Sequence, residues 1–402
     1  MAAKDRVRAA VVGTGGIARS HLAAFRAHGD QVDVVAAVDV DAARLREFCA
    51  DAGTATPYDD LEHMLRERRP DLVAICTPPS LHADQVVTVL RHGAWAWCEK
   101  PPCLSLAEYD RIVAAERAGG PYAAIVFQHR FGSAAEHLRT LLRTGELGRP
   151  LVAHCQTTWY RDDAYYAVPW RGRWETEGGG PTMGHGIHQM DLMLHLLGDW
   201  VEVRAMVGRL VHDVATEDVS TALVRFASGA MATVVNSVLS ADQVSRIRLD
   251  CTDATVELTH LYGYRNEDWV YTPAPHVTDE RRVSRWRSPA EDVASSHAAQ
   301  LRGLLAALRE GARPACSGPD GRRVLELVAA LYKSALTGLP VRAGEIGAED
   351  PFYAAMHGGM AGAQPGARPG TPGEPLGTGA AAAGGRVPAG GNGASIDGAH
   401  GE

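Results

Sequence analysis

The stretch that decides the fold is VRAAVVGTGGIA, which runs from Val7 to Ala18. Its first six residues are apolar except for one arginine, as in a buried strand, and a helical pattern follows the glycines. Gly13 permits a tight turn, Gly15 lets a ligand approach the backbone, and Ala18 lets helix and strand pack closely. Free N–H groups at such a helix start attract phosphate. The stretch therefore predicts a dinucleotide site.

A second apolar run, Val32 to Val38, ends at Asp39. An acidic side chain at the end of the second strand can accept hydrogen bonds from both hydroxyls of the adenosine ribose. It would repel the 2′-phosphate of NADP. The sequence therefore predicts NAD as the cofactor, with NADP disfavoured.

Further apolar runs alternate with helical patterns up to Phe127 and predict a doubly wound parallel sheet of the α/β class. Ligands bind at the carboxyl ends of such strands. The predicted cofactor contacts are therefore Gly13, Gly15, Gly16, Ile17, Asp39, Thr77, Pro78, His82, Glu99, Lys100 and Gln128.

Composition excludes several classes of protein. The chain has 402 residues, a net charge of −8 and a pI near 6.1, which argues against a nucleic-acid partner. No apolar run is long enough for a membrane span, and the N-terminus lacks the pattern of a signal peptide. The seven cysteines are scattered without metal-site spacing. They indicate reduced thiols and a cytoplasmic protein.

Five motifs in order carry a family resemblance: GTGGIA, CTPPSLHAD, CEKP, QHRF and EGGG followed by GIHQMDL. From about Arg6 to Val341 the chain resembles the Gfo/Idh/MocA family, which is named for glucose–fructose oxidoreductase, inositol dehydrogenase and a rhizopine catabolism protein. The resemblance implies hydride transfer between NAD(P) and a hydroxyl or carbonyl of a sugar, inositol or related polyol.

The resemblance also implies a domain organisation. We expect a Rossmann domain over residues 1–128 and an α+β substrate domain with a large, mostly antiparallel open sheet over 129–345. That sheet is expected to join subunits into a homodimer or homotetramer. Residues 357–402 are rich in Gly, Ala and Pro and predict a disordered tail.

Lys100 follows a buried strand and precedes Pro101, so we expect it beside the nicotinamide as a catalytic and substrate-binding residue. In the family this Lys–Pro bond is often cis. An alternative is that Glu99 pairs with Lys100 in a purely structural role.

The stretch Glu177–Trp200 departs from the family pattern at one position. After three glycines the family has an aspartate, which falls on Gly184 here, and then a histidine, which is His188. His188 is therefore expected to be the general acid or base. His185 lies next to the missing carboxylate and is expected to hydrogen-bond substrate or orient His188. The same histidines with Asp191 could suit a metal, but the glycines place the helix start here, and no metal site is predicted.

Residues 161–174 are rich in aromatic and arginine side chains and are expected to form a loop over the sugar, with Trp170 and Arg171 as substrate contacts. These arginines could equally be solvated. His297 opens a predicted helix, whose start can approach the substrate in this fold. Residues 263–288 show no clear period and are expected to be irregular.

The leading hypothesis is an NAD-dependent oxidoreductase in which His188 takes the hydroxyl proton and Lys100 holds charge. Two alternatives stay open. One is an NAD-dependent glycosidase of the same fold, and the other is a non-catalytic NAD-binding sensor or co-regulator. Retention of both Lys100 and His188 favours an enzyme, because a sensor needs no proton-transfer pair.

Overall fold

The apolar runs of the first third of the chain form six parallel strands. The protein is described here by a computed structural model, which covers residues 6–360. The strands lie in the order β3-β2-β1-β4-β5-β6. They are β1 (Val7–Val12), β2 (Val32–Val38), β3 (Thr56–Tyr58), β4 (Leu72–Ile75), β5 (Trp95–Cys98) and β6 (Ala123–Ile125). The order reverses between β1 and β4, which opens a crevice at their carboxyl ends.

Helices connect these strands, and short polar side chains fix where several of them begin. Asp41 accepts hydrogen bonds from two backbone N–H groups at the start of the second helix, and Asp60 and Ser105 each accept one at the third and fifth. The helices are α1 (Ala18–Ala27), α2 (Ala42–Ala52), α3 (Leu61–Arg68), α4 (Pro79–Arg91) and α5 (Leu106–Ala115).

A second sheet of eight strands follows, in the order β13-β12-β11-β7-β10-β9-β8-β14. Only its β7–β10 pair is parallel among the described residues. The strands are β7 (Pro150–Tyr160), β8 (Trp200–Gly208), β9 (Val219–Phe226), β10 (Met231–Ser237), β11 (Leu239–Cys251), β12 (Ala254–His260), β13 (Trp269–Pro273) and β14 (Val341–Arg342). The predicted fold class, a Rossmann sheet plus a large open sheet, is confirmed.

The remaining helices cover one face of this sheet or form the turns around the cleft. They are α6 (Ser133–Arg143), α7 (Asp163–Tyr166), α8 (Trp174–Glu177), α9 (Pro181–Gly184), α10 (Ile187–Leu197), α11 (Glu280–Trp286), α12 (His297–Glu310), α13 (Gly318–Thr337) and α14 (Pro351–Ala354), and 3-10 turns occur at Gln128–Phe131 and Asn266–Asp268. Helices α10 and α13 pack on the sheet. The opposite face carries exposed apolar side chains at Met206, Leu223, Met231 and Val270.

Two segments differ from the sequence expectation. Residues 263–288 are not irregular, since they contain β13 and α11. Trp269, Tyr271 and Trp286 are buried there, and their burial stabilises elements too short to show a period. The predicted loop at 161–174 contains the single-turn helix α7.

Helix α12 packs against the first sheet, although its residues fall within the range expected for the second domain. Leu301, Leu304 and Leu305 share a core cluster with Phe25 of α1 and Trp97 of β5. The chain thus returns to the first layer after completing most of the second sheet, and the boundary at residue 128 stays a prediction.

The last described helix, α14, packs against α5 of the first layer. In α14 Phe352 is buried, and the Tyr353 hydroxyl donates to Asp110 of α5 at 2.9 Å. Of the predicted tail, residues 357–359 lie in a turn, and 361–402 lie outside the described residues. Between residues 6 and 360, the helices are all too short or too polar to cross a bilayer.

Candidate active site

One cleft of about 690 Å³ lies at the carboxyl ends of the first sheet and is closed on its far side by α7 to α9. Its walls include nine of the eleven predicted cofactor contacts: Gly13, Gly15, Gly16, Ile17, Asp39, Thr77, Pro78, Glu99 and Lys100. They also include three of the predicted substrate contacts beyond Lys100: Trp170, Arg171 and His185. Elements from both sheets' layers thus border the same space.

The glycine turn suits the approach of a phosphate group. Gly13 has φ +83°, and a Cβ there would lie 2.8 Å from the carbonyl carbon of Cys76, so only glycine fits. A Cβ built at Gly15 would have no neighbouring atom within 4 Å, so the space beside this backbone is open. Within the described chain, no side chain caps α1 and its first turn carries no acidic residue. Its N–H groups therefore face a site suited to an anion.

Asp39 lies at the other end of this turn. Its Oδ2 accepts hydrogen bonds from the backbone N and the hydroxyl of Thr14 at 2.7 and 2.8 Å. Its Oδ1 accepts from the Asp41 backbone N at 2.8 Å and the Arg44 guanidinium at 3.2 Å. Burial opposes ionisation of Asp39, but these donors outweigh it and lower its pKa. The carboxylate is therefore charged at neutral pH and both shapes the turn and borders the cleft.

Two of the predicted cofactor contacts lie outside the cleft wall. The ring of His82 joins the carbonyl oxygens of Pro101 and Thr77 at 2.8 and 2.7 Å. It joins the turns that follow two strands, and its contact with the cofactor stays a prediction. Gln128 is buried in the 3-10 turn after β6.

Lys100 stands between the two layers. Its Nζ donates to the carbonyl oxygen of Gly184 at 3.2 Å, and its backbone N donates to Glu99 at 3.2 Å. The Lys100–Pro101 peptide bond is cis. The side chain of Lys100 therefore spans from the end of β5 to the turn in which the family's carboxylate is missing.

Glu99 makes its side-chain contacts with two histidines. Its Oε1 lies 2.8 Å from Nε2 of His21 in α1 and 2.9 Å from Nε2 of His297 in α12. The two ring nitrogens and the carboxylate oxygen lie within 4.8 Å of one another, and such a group could ligate a metal ion. The two N–O distances are also those of hydrogen bonds between the carboxylate and the two imidazoles. Glu99 thus contacts Lys100 through the lysine's backbone N and the two histidines through Oε1.

The two predicted catalytic histidines occupy different surroundings. His185 lines the cleft, with Nε2 3.4 Å from the Tyr165 hydroxyl and its ring edge-on to Trp159 at 5.0 Å. His188 lies outside the cleft lining and stacks on His129 at 4.8 Å. The ring of His188 therefore contacts core side chains, and its contact with substrate stays a prediction. Burial first, and nearby positive charge second, hold the pKa of both His185 and His188 well below the usual range.

The aromatic loop places Arg171 between rings. Its guanidinium lies 3.8 Å from the centre of Tyr165 and 4.3 Å from that of Trp170. It also bonds to the Tyr165 hydroxyl and lies 3.5 Å from Glu177. Arg173, another arginine of the same segment, is exposed and outside the cleft lining.

Sequence reasoning gave no role to Tyr165, Arg44 or Glu177, all of which line the cleft. Asp191, which the sequence grouped with the two histidines as a possible metal set, forms a buried ion pair with Arg130. A signal for Glu177 was available, because it is the carboxylate nearest to the glycine triplet in the chain.

Two family models match this chain, one in each of its two parts. Residues 7–125 match the model described as "Oxidoreductase family, NAD-binding Rossmann fold", and residues 135–257 match the GFO/IDH/MocA C-terminal domain. D-apiose dehydrogenase from Paraburkholderia graminis is 30% identical over 88% of this chain and 94% of the relative. Myo-inositol 2-dehydrogenase from Thermotoga maritima is 27% identical over 82% of this chain and 96% of the relative.

A solved structure agrees with these relatives. WlbA dehydrogenase from Bordetella pertussis, in complex with NADH and UDP-GlcNAcA, is 26% identical and has a TM-score of 0.74 over 84% of this chain and 99% of that one. The glycine turn, the uncapped start of α1 and the charged Asp39 fit a dinucleotide in the cleft described above. The chain belongs to the Gfo/Idh/MocA family of NAD-binding oxidoreductases.

Proposed function

We propose that the protein is an NAD-dependent dehydrogenase that acts on a hydroxyl group of a sugar, an inositol or a related polyol. The observation that carries this proposal is the single cleft that joins both halves of such a site. The glycine turn and Asp39 border one end, and Lys100 and His185 border the other. The relatives named as D-apiose and myo-inositol dehydrogenases support the substrate class.

The cofactor's half of the cleft is assigned to the predicted residues that line it. The N–H groups at the start of α1 hold the pyrophosphate, and Asp39 accepts from the adenosine ribose. When bound, the nicotinamide is the two-electron oxidant that takes hydride from the hydroxyl-bearing carbon.

The substrate's half is assigned to Lys100, His185 and the aromatic loop. The ammonium of Lys100 contacts the substrate oxygen and stabilises negative charge as the hydroxyl loses its proton. His185 is neutral, because its pKa is low, and hydrogen-bonds a second substrate hydroxyl. Trp170 offers a face to the C–H surface of the ring. His188 packs behind this wall as a positioning residue.

A substrate panel tests the proposal. The purified protein is mixed with NAD and a set of inositols, aldoses and sugar acids, and absorbance of the reduced nicotinamide is followed. We expect turnover with at least one of them, and Lys100→Met should lower kcat by at least about 100-fold. Lys333→Met is the matched control, because Lys333 pairs with Glu345 and Asp350 far from the cleft.

Three other outcomes would contradict the proposal. NAD reduction with no compound of the panel would remove the substrate class. Release of an aglycone from aryl glycosides without net NAD reduction would favour the glycosidase. Tight NAD binding without either reaction would favour a sensor.

We also propose that the protein forms a homodimer or homotetramer through the open face of the second sheet. Strand pairing aligns Leu223, Thr233, His154, Arg248, Glu257 and Val270 in one row across that face. Leu223 and Met231 are each 61% exposed on it, although apolar. A face of this kind marks an interaction site.

Light scattering checks the subunit number. Leu223→Asp should convert the oligomer to monomers, and Leu339→Asp, which changes an exposed leucine on a turn, should not. A wild-type monomer would refute this proposal. The cysteines of the described chain are all unpaired, which supports the further proposal of a cytoplasmic location. Cell fractionation tests it.

A further inference from the structure

Glu177 is the last residue of α8 and lies in the wall of the cleft at the same end as Lys100 and His185. Its exposed fraction is only 4%. A buried carboxylate requires specific partners, since desolvation disfavours its charge. Neither cofactor binding nor substrate binding, as proposed for this cleft, uses Glu177, although it lines the cleft with Lys100 and His185.

Glu177 lies next to Gly184, the position at which the family has an aspartate. A Cβ built at Gly184 would lie 3.5 Å from Oε1 of Glu177. The carbonyl oxygen of Gly184 in turn accepts from Nζ of Lys100 at 3.2 Å. The carboxylate of Glu177 and the ammonium of Lys100 therefore border on the same glycine, from two different elements.

The carboxylate is held in a fixed orientation. Its Oε2 accepts from the backbone N of Gly172 at 2.7 Å. Its Oε1 lies 3.5 Å from the Arg171 guanidinium, longer than a usual hydrogen bond, and Glu177 lines the cleft. One oxygen thus anchors the group, and the other faces Gly184.

We propose that Glu177 is the catalytic residue that accepts the substrate's hydroxyl proton. This inference rests on the proposed function. The substrate O–H bond breaks and its proton forms a bond to Oε1 of Glu177. The O–H electron pair becomes the second C–O bond, while the C–H pair leaves as hydride to the oxidant named above. The proton then passes from Glu177 to water as the product leaves.

The surroundings of Glu177 suit this role. Burial raises the pKa of Glu177 to about 7, and the Gly172 N–H, Arg171 and Lys100 oppose that rise. The other charged or titratable groups facing it are Glu217, Tyr165 and Tyr166. A base is most effective when its pKa is near the working pH. The two histidines of the turn are weaker proton acceptors, because their pKa values are held well below the usual range.

Moving the carboxylate from residue 177 to residue 184 tests the proposal. Glu177→Gln keeps the hydrogen-bond acceptor for Gly172 but cannot take the proton. We expect kcat to fall at least about 100-fold, with the calorimetric Kd for NAD within about twofold of wild type. Adding Gly184→Asp to that variant places a carboxylate in the same space, and should recover at least about tenfold of the lost kcat. Glu175→Gln, an exposed glutamate of the same helix, is the matched control.

A second measurement uses Gly184→Asp alone, which leaves Glu177 intact and does not depend on folding of the first variant. Two carboxylates in contact raise the pKa of one of them. Because the base must be deprotonated, kcat/KM of wild type should fall as pH drops below about 7, and Gly184→Asp should move this limb to higher pH. Infrared titration of the protein without substrate should show the same upward shift of a carboxylic acid band.

The outcomes separate the two proposals. If wild type reduces NAD with no sugar of the panel, the proposed function fails. If wild type is active but Glu177→Gln keeps kcat within about threefold, the role of Glu177 fails alone. A folded double variant that stays as inactive as Glu177→Gln, or an unmoved pH limb and infrared band in Gly184→Asp, would also overturn it.

Discussion

Oε1 of Glu99 lies 2.9 Å from Nε2 of His297, and this contact joins the end of β5 to the start of α12 across 198 residues of chain. The same oxygen accepts from His21, and the other carboxylate oxygen holds the backbone N of Lys100. Burial opposes ionisation of Glu99, but its bonds to His21 and His297 outweigh it and hold its pKa well below the usual range. The network therefore positions the lysine turn.

Removal of His297 should loosen that turn. We expect His297→Ala to destabilise the protein by about 1–3 kcal/mol, because a buried carboxylate loses a donor, and to lower both NAD affinity and kcat. His28→Ala is the matched control. Its ring also joins α1 to α12, at 2.9 Å from the carbonyl oxygen of Ala298, but away from Glu99. Equal effects of the two substitutions on NAD binding, measured by calorimetry, would refute the positioning role.

Buried histidines should make the fold sensitive to acid. Burial lowers the pKa of His129 and of His195 to about 3, and lowers that of His21 and His82. Below pH about 6.5 the unfolded chain binds protons that the folded chain does not, so stability is present above that pH and is lost as pH falls through it. Below that pH, His129 and His195 each contribute about 1.4 kcal/mol per pH unit.

Urea unfolding between about pH 7.5 and 5.5 measures this loss. His195→Asn should reduce its steepness by close to one proton. His92→Asn, which changes an exposed histidine, should leave the steepness unchanged. A wild-type midpoint that is flat over this range would contradict the prediction.

The local motifs were predictable because neighbouring residues determine them. The turn at Gly13 and the strand end at Asp39 follow from spacing and side-chain size, and the structure places both in the cleft. The pairing of Glu99 with His297 was not predictable, since nothing in either segment specifies a partner so distant in sequence. His188 could be matched to the family's histidine from the motif, but its stacking on His129 could not be predicted, because the two rings belong to different elements.

Cofactor choice should depend on Asp39 and Arg44 together. Asp39→Ser removes the charge that repels a 2′-phosphate and releases the Arg44 guanidinium, which also lines the cleft. We expect the ratio of kcat/KM with NADP to that with NAD to rise at least about tenfold, or about 1.4 kcal/mol. Arg44→Ala in the Asp39→Ser background should reverse that gain. An unchanged ratio in Asp39→Ser would exclude the ribose role. Thr14 loses two hydrogen bonds in this variant, so thermal stability should fall as well.

Removal of one partner from the buried pair of Arg130 and Asp191 should destabilise the fold, although the pair lies outside the cleft wall. Their side chains are 3% and 0% exposed, and Arg130 also bonds Asp320 at 2.8 Å. Asp191→Ala leaves a buried guanidinium with only its half-exposed partner, and we expect a loss of about 3–5 kcal/mol in the free energy of unfolding. Asp84→Ala, which breaks a surface pair with Arg111, should cost less than about 1 kcal/mol.

Replacement of both partners separates charge from packing. The double variant Arg130→Met/Asp191→Leu carries no charge at either position. It should therefore be more stable than Asp191→Ala, which leaves the buried Arg130 charge without Asp191. Urea unfolding with NAD absent gives all the values on one scale. If the double variant is the least stable of the set, the stabilisation comes from the ion pair itself. If it recovers most of the loss, the cost of Asp191→Ala is that of an uncompensated charge beside the start of α13.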